Sequence, residues 1–496
     1  MIHRIYFTFL AFVLLCSSCS SDSSDTLPPV SQSQNDQTSA DQSKNDLEWT
    51  SCGTGNFECS TLRVPLDHDD AEGATIEIGL KRQPAAGSSK IRIGSLLINP
   101  GGPGASATDS LGYIANRLPI EVQHRFDIVA FDPRGVQEST PLDCHETLQS
   151  YIAADPSPDN VEEWIKASQV AQTFTSDCAE KHGDILPYLS TLDTVKDMDL
   201  VRVALGDDKL TYLGLSYGTK LGAYYAELFP DRTRALILDG AIDPALNGIE
   251  SSLQQSIGFD QALGRYFDWC KEKKVCNWTA GKDPAKAYAE LEALIDKNPL
   301  QNRQERPTGP GEFNIGTAFT LYQGEQGWQY LTQGLNEAAE GNGRRMLLLA
   351  DSYLNRRRDG SYPSSQEAFV AVTCLDDAFP SRMEDIRALE DTFTTAAPVF
   401  GPPAVTFMFT CAHWPVEPKK ISVPKGIGAP EILVIGTTGD PATPYQWAQA
   451  MASQLTSAVL LTYEGEGHVA LGKSQCIGEA INEYLIELTL PKSRTC

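Results

Sequence analysis

The sequence predicts an α/β fold, a doubly wound and mostly parallel sheet with a mostly helical segment inserted before its last strands. Three observations carry that reading. Continuous runs rich in Leu, Ile and Val recur, each ending in a glycine, proline or acidic turn: "IGSLLINPGGPG", "FDIVAFDPRG", "LTYLGLSYG", "RALILDGAID", "EILVIGTTGD" and "AVLLTYEGEGH". Runs of this kind suit strands covered on both faces, as in a parallel sheet. Helical patterns alternate with them, as crossover connections require. From Pro244 to about Lys420 helical spacing takes over, with Trp328, Leu331, Leu335 and Ala338 recurring at intervals of three and four, and no strong strand run returns until Ile432.

Taken in order, the chain begins "MIHRIYFTFLAFVLLCSSCSSDSS". A short basic start and an apolar run from Ile5 to Cys16, too short to span a bilayer, read as a signal peptide over residues 1–18. Ser17, Ser18 and Cys19 resemble a bacterial lipoprotein signal, with Cys19 as the lipid-bearing first residue of the mature chain; plain secretion is the other reading, and both export the protein. Residues 19–47 are dominated by Ser, Asp, Gln, Asn and Thr, a composition that cannot offset its ordering entropy, and read as a tether. The expected organisation is then core over 48–243, helical lid over 244–420 and core again over 421–496. Within the first core segment, "TIEIGLKRQ" alternates as a half-exposed edge strand would. After "GLSYGT", the run "KLGAYYAELF" places Gly222, Ala223 and Ala226 where a helix packs closely on a sheet.

Charge and cysteines narrow the function classes. The 496-residue chain carries a formal net charge of −25, which would repel nucleic acid and is compatible with a cationic ligand. Of twelve cysteines, Cys16 leaves with the signal and Cys19 takes the lipid. The rest form neighbouring pairs: Cys52 with Cys59, Cys144 with Cys178, Cys270 with Cys276, Cys374 with Cys411, and Cys476 with Cys496. Disulfides between them suit an exported protein. No C-x-x-C pairing supports a metal, and none is expected.

The chemistry centres on Gly214-Leu215-Ser216-Tyr217-Gly218, a G-x-S-x-G between a strand and a helix. A sharp strand–helix turn needs small flanking residues and leaves the serine exposed at the helix head. A serine hydroxyl needs a base. Of seven histidines, His3 lies in the signal, and His68, His124, His145 and His182 lie among polar or loop residues. His468, on the glycine-rich loop after the last strand, is the candidate, and His413 is the weaker rival. Asp440, at a strand end in "TTGDPATPY", is the orienting carboxylate, with Asp243 as alternative. The order Ser, Asp, His is that of α/β-hydrolases. Asn99-Pro100-Gly101-Gly102-Pro103-Gly104 supplies an oxyanion loop, with Gly102 as donor ahead of Gly101 or Gly104, and the N–H of Tyr217 as the second donor. Asp132 and Arg134 of "FDPRGVQEST" are read as braces beneath the site.

Together "NPGGPGAS", "FDPRGVQEST", "GLSYGT", "DPATPY" and "GEGH" resemble the tripeptidyl aminopeptidase branch of the α/β-hydrolases, related to prolyl aminopeptidases, from about Trp49 to the C-terminus. The resemblance implies a cofactor-free serine exopeptidase that removes short peptides from free N-termini, with Ser216 as nucleophile, Asp440 as acid and His468 as base. Val469 after the histidine departs from the small residue usual there. An exopeptidase must hold the substrate's α-ammonium, for which Glu325, Asp376 and Asp377 in the lid are candidates. The expected partner is a peptide with a free N-terminus, with membrane contact only through the lipid and the chain a monomer. A carboxylesterase or lipase with the same residues, and a non-catalytic binding lipoprotein, are the competing readings.

Overall fold

The computed structural model describes residues 47–302 and 306–496; the signal peptide, Cys19 and all of the tether but Leu47 lie outside them. Nine strands form one sheet: β1 (Thr50–Ser51), β2 (Glu58–Pro65), β3 (Thr75–Gln83), β4 (Gly94–Asn99), β5 (Phe126–Phe131), β6 (Leu210–Leu215), β7 (Thr233–Asp239), β8 (Ile432–Gly439) and β9 (Ala458–Glu466). Their spatial order is β1-β2-β3-β5-β4-β6-β7-β8-β9. Pairing is antiparallel from β1 through β3 to β5, and parallel from there on.

Every residue of β4, β5 and β6 is buried, which explains their unbroken apolar sequence. Alternate residues serve opposite faces. Leu97, Val129, Tyr212, Leu236 and Val434 pack under the helices Thr191–Ala204, Tyr217–Leu228 and Tyr445–Gln454. Leu96, Ile98, Ile128, Leu213, Ile237 and Ile435 pack under Ala107–Ala115 and Gln475–Glu487. β3 alternates as expected, Ile76 and Ile78 in and Thr75 and Glu77 out. It is not an edge, however, because β2 pairs along its outer side from Glu58↔Arg82 to Pro65↔Thr75. The residues of β2, ECSTLRVP, are half polar, a composition without a strand signature.

Between β7 and β8 the chain is helical, from Gly248–Lys273 to Gly401–Ala412, with no strand among the described residues. It has an aromatic core of its own around Tyr266, Tyr288, Phe313 and Trp328. Two helices from between β5 and β6, His145–Ile152 and Val161–His182, join it, Trp164 meeting Phe409 edge-on at 5.8 Å. The cap over the sheet therefore draws on two separate stretches of chain. Disulfides close Cys52–Cys59, Cys144–Cys178, Cys270–Cys276, Cys374–Cys411 and Cys476–Cys496.

Candidate active site

Ser216 stands between the end of β6 and the helix Tyr217–Leu228, with φ +54° and ψ −123°. A non-glycine residue pays for that backbone with strain, which is usual where a side chain must be presented. The turn is tight enough that a methyl on Gly214 would lie 2.2 Å from the carbonyl oxygen of Gly218. The amide of Ser216 donates to the carbonyl of Asp239 at 2.9 Å, and its own carbonyl accepts from Thr219 Oγ1 at 2.6 Å. The serine is thus fixed from both sides.

His468 and Asp440 meet at the ends of β8 and β9. Nδ1 of His468 lies 2.9 and 3.0 Å from the two carboxylate oxygens of Asp440, and 3.4 Å from Thr443 Oγ1. The amides of Ala442, Thr443 and Val469 also donate to Asp440, at 2.9, 2.9 and 3.1 Å. Burial alone would push this carboxyl up; the charge and hydrogen bond of His468, with the Thr443 and Val469 amides, outweigh it and hold the group below the usual carboxylate range. With Nδ1 engaged, Nε2 is the ring nitrogen left for a proton transfer. Ser216 Oγ makes no hydrogen bond to it in the structure. The two residues are joined through Asp239 and Gly240: Asp239 holds the Ser216 amide, and a methyl on Gly240 would lie 3.4 Å from Cε1 of His468.

The loop after β4 lies against the serine turn. A methyl on Gly101 would sit 2.5 Å from the Leu215 carbonyl and 2.9 Å from the Tyr217 amide nitrogen. The Gly101 N–H is already taken, donating to Asn99 Oδ1 at 2.9 Å. The N–H groups of Gly102 and Tyr217 have no protein acceptor among the described residues, and both residues line the same cavity. Gly104 instead faces the cap, where a methyl would meet the Ser365 carbonyl at 2.3 Å.

That cavity has a volume of about 320 Å³, at the low end for a small-molecule site. Its walls are largely aromatic, including Phe259, Phe369, Phe379, Phe400, Phe407 and Trp447. Its polar end holds Lys220, Asp376 and Asp377. Asp376 is buried, its side chain 1% exposed, and accepts from the amide and hydroxyl of Thr191 and from Lys220 Nζ at 3.1 Å. Asp377 lies 3.8 Å from the same ammonium, with its side chain 26% exposed. Burial raises the Asp377 carboxyl despite Lys220, whereas the two acids keep the Lys220 ammonium above its ordinary range despite burial. Glu325 is exposed at the start of the helix Glu325–Ala339 and does not line the cavity. A larger groove of about 1070 Å³, lined by Arg306, Asp351, Arg356 and Arg358, shares no lining residue with it.

The rivals lie elsewhere. Asp243 accepts from the Ala245 amide and from Gln454 Nε2 at 2.7 Å, and His413 is bonded to Ser168 Oγ at 2.9 Å. Asp132 gathers Ser106 Oγ, Thr108 Oγ1 and the amides of Thr108 and Glu138, so it holds the start of the helix that follows the glycine loop. Arg134 is fully buried and binds Asp197 through two 2.7 Å bonds and the carbonyls of Pro65, Leu66 and Tyr188. Three further residues at the site, Lys220, Asp239 and Tyr322, are not among the candidates that the sequence offers. Lys220 carried a signal, sitting four residues after Ser216 and so one helical turn along. Asp239, ending its strand, carried a weak one. Tyr322, which packs on His468, carried none.

Fold and site together define a serine hydrolase of the α/β type. Residues 397–496 match the family described as TAP-like protein. The chain is 39% identical to the serine protease Hip1 of Mycobacterium tuberculosis, over 90% of each protein. It is 38% identical to carboxylesterase B of the same organism, over 87% of this chain and 85% of that one. It is 27% identical to the tripeptidyl aminopeptidase of Streptomyces lividans, over 89% and 84%. The chain belongs to this TAP-like family of α/β-hydrolases.

Proposed function

We propose that the protein is an exported serine aminopeptidase, releasing short peptides from free N-termini through an acyl-enzyme on Ser216. The observation that carries this reading is the partly exposed carboxylate of Asp377 in a small cavity that also holds the Gly102 loop and Tyr217. Lys220, Asp376 and Asp377 together leave one net negative charge there, the complement of a substrate ammonium. Asp376 is buried against Thr191 and Lys220 and Glu325 lies outside the cavity, so the ammonium role falls to Asp377.

In this reading Ser216 Oγ attacks the scissile carbonyl carbon and its proton passes to His468 Nε2. The ionised Asp440 accepts from Nδ1–H, which keeps the ring in the tautomer that can take a proton at Nε2, and it stabilises the imidazolium. The carbonyl oxygen becomes an oxyanion, received by the Gly102 and Tyr217 N–H groups. The intermediate collapses, the C–N bond breaks, and the imidazolium gives its proton to the departing amine. Water then attacks the ester by the same route in reverse, freeing the short peptide and Ser216.

The aromatic walls favour a second reading, an esterase with an apolar acyl group. A substrate panel separates the two. Fluorophosphonate labelling is expected to vanish in Ser216→Ala. Peptide amides with free N-termini are expected to be cleaved well and blocked ones poorly. Asp377→Asn is expected to lower kcat/KM on free-amine peptides about 10- to 100-fold, the worth of a hydrogen bond to a charged group, while sparing a small ester. Equal loss on peptide and ester, or faster turnover of blocked peptides and esters, would favour the esterase. Export, with lipid on Cys19, completes the proposal.

A further inference from the structure

The helical insertion grips the loop that carries His468. The helix Pro310–Tyr322 ends at that loop, and the Tyr322 carbonyl accepts the main-chain N–H of His468 at 2.8 Å. The Tyr322 ring stands edge-on to the imidazole, centroids 5.2 Å apart at 82°. It is backed in turn by Phe259 at 5.3 Å and Tyr353 at 5.8 Å, so the ring cannot swing away without disturbing the cap. The chain then turns through Gly324, and a methyl on Gly467 would lie 2.7 Å from the Gly324 nitrogen and 2.8 Å from the Tyr322 oxygen. One more tie comes from the cap: Arg265, on the helix Gly248–Lys273, binds Glu466 at 2.8 Å and the Gly439 carbonyl at 3.0 Å.

Asp440 fixes only one edge of the imidazole. A ring hydrogen-bonded through Nδ1 alone can still tilt about that bond, and Nε2 sits at the far end of the lever. The edge-on ring contact and the main-chain bond that limit such tilting from the cap side come from Tyr322, which belongs to the insertion and not to the sheet. We propose that Tyr322 is a positioning residue for His468, through its carbonyl and its ring, so that proton transfer from Ser216 requires this part of the cap to be docked. The inference rests on His468 acting as the base. It goes beyond that reading because it makes the cap part of the base's alignment as well as the wall of the cavity. Misplacing a reacting group by about 1 Å can cost on the order of 100-fold in rate, so the effect belongs in kcat.

The test uses the full chain carrying Tyr322→Phe, Tyr322→Leu or Gly467→Ala, assayed on a small ester that does not need the ammonium subsite. Tyr322→Phe keeps the ring and is expected to stay near the parent. Tyr322→Leu keeps apolar bulk but loses the ring, and is expected to lower kcat about tenfold or more, leave KM within about twofold, slow fluorophosphonate labelling in parallel and move the acidic limb of the rate profile. Gly467→Ala crowds the Tyr322 carbonyl and the Gly324 nitrogen and also strains a left-handed backbone beside His468, so it is read only as a supporting variant, expected to show the same split. Thermal unfolding of each variant is measured alongside. If Tyr322→Leu keeps the parent's kcat and pH profile, or loses rate only as its folded fraction falls, the positioning role is overturned. If Ser216→Ala still labels, the catalytic reading itself has failed; parent-like Tyr322→Leu beside a dead Ser216→Ala removes the positioning role alone.

Discussion

At the scale of single residues, Asp239 does work that no catalytic role describes. Its backbone carbonyl holds the Ser216 amide, and its carboxylate accepts from the Ala470 and Leu471 amides at 2.8–3.0 Å, just beyond His468. One residue thereby fixes both the serine turn and the histidine loop. Burial pushes its carboxyl up to about 6, against the pull of those amides and of Lys473. A carboxyl raised above its unfolded value of about 3.9 means that the folded chain holds a proton the unfolded chain has released. Its contribution to stability is therefore fullest below the unfolded value and is lost as pH rises through about 6. Asp239→Asn removes that slope and offers an amide where two N–H groups want an acceptor. The parent's urea midpoint, taken relative to the variant's, is expected to fall as pH rises from about 4 through about 6 and to level off above that. A gap that does not change with pH would show that Asp239 stays charged throughout.

Elements are joined by Arg134. Its guanidinium bonds Asp197 on the helix Thr191–Ala204, the end of β2 at Pro65, the following Leu66, and Tyr188 before that helix. His68 Nε2 lies 3.0 Å from the same group. All five donors of the fork are within reach of acceptors, so a smaller cation could not replace it. Arg134→Ala would leave Asp197 buried against His68 alone. A loss of about 3–5 kcal/mol in unfolding free energy is expected, the usual cost of stranding a buried charge. Arg134→Lys is expected to recover only part of it, and recovery to the parent's chemical-denaturation midpoint would mean that the fork geometry is irrelevant.

For the molecule as a whole, the five disulfides fit maturation in an oxidising, extracytoplasmic compartment. Among the described residues no helix is long and apolar enough to cross a membrane. If lipid on Cys19 is what holds the protein at the cell surface, Cys19→Ser is expected to move it from the membrane fraction into the medium with its specific activity unchanged. Retention of Cys19→Ser in the membrane fraction would remove the lipid from the proposal.

The sequence by itself determined the sheet strands from β4 onward, the serine turn, and the pairing of Asp440 with His468 as the residues to look for. Each rests on a local rule: unbroken apolar runs for strands buried on both faces, small residues where a turn is tight, and glycine-rich ends where loops carry chemistry. The cysteine pairs that close are the ones nearest in sequence. What lay beyond it has a common physical cause. β2 is an outer strand whose half-polar composition looks like loop. The helices at 145–182 join the cap only because Trp164, Phe174 and their neighbours find partners more than 200 residues away. Asp376 and Asp377 both line the cavity, and it is the bonds of Thr191 and Lys220 to Asp376, made from distant stretches of chain, that set the two apart. Tyr322 reaches His468 across 146 residues, by packing that no periodicity encodes. Tertiary structure decided these points because each is a contact between distant stretches of chain, fixed by shape and burial rather than by any pattern within one segment.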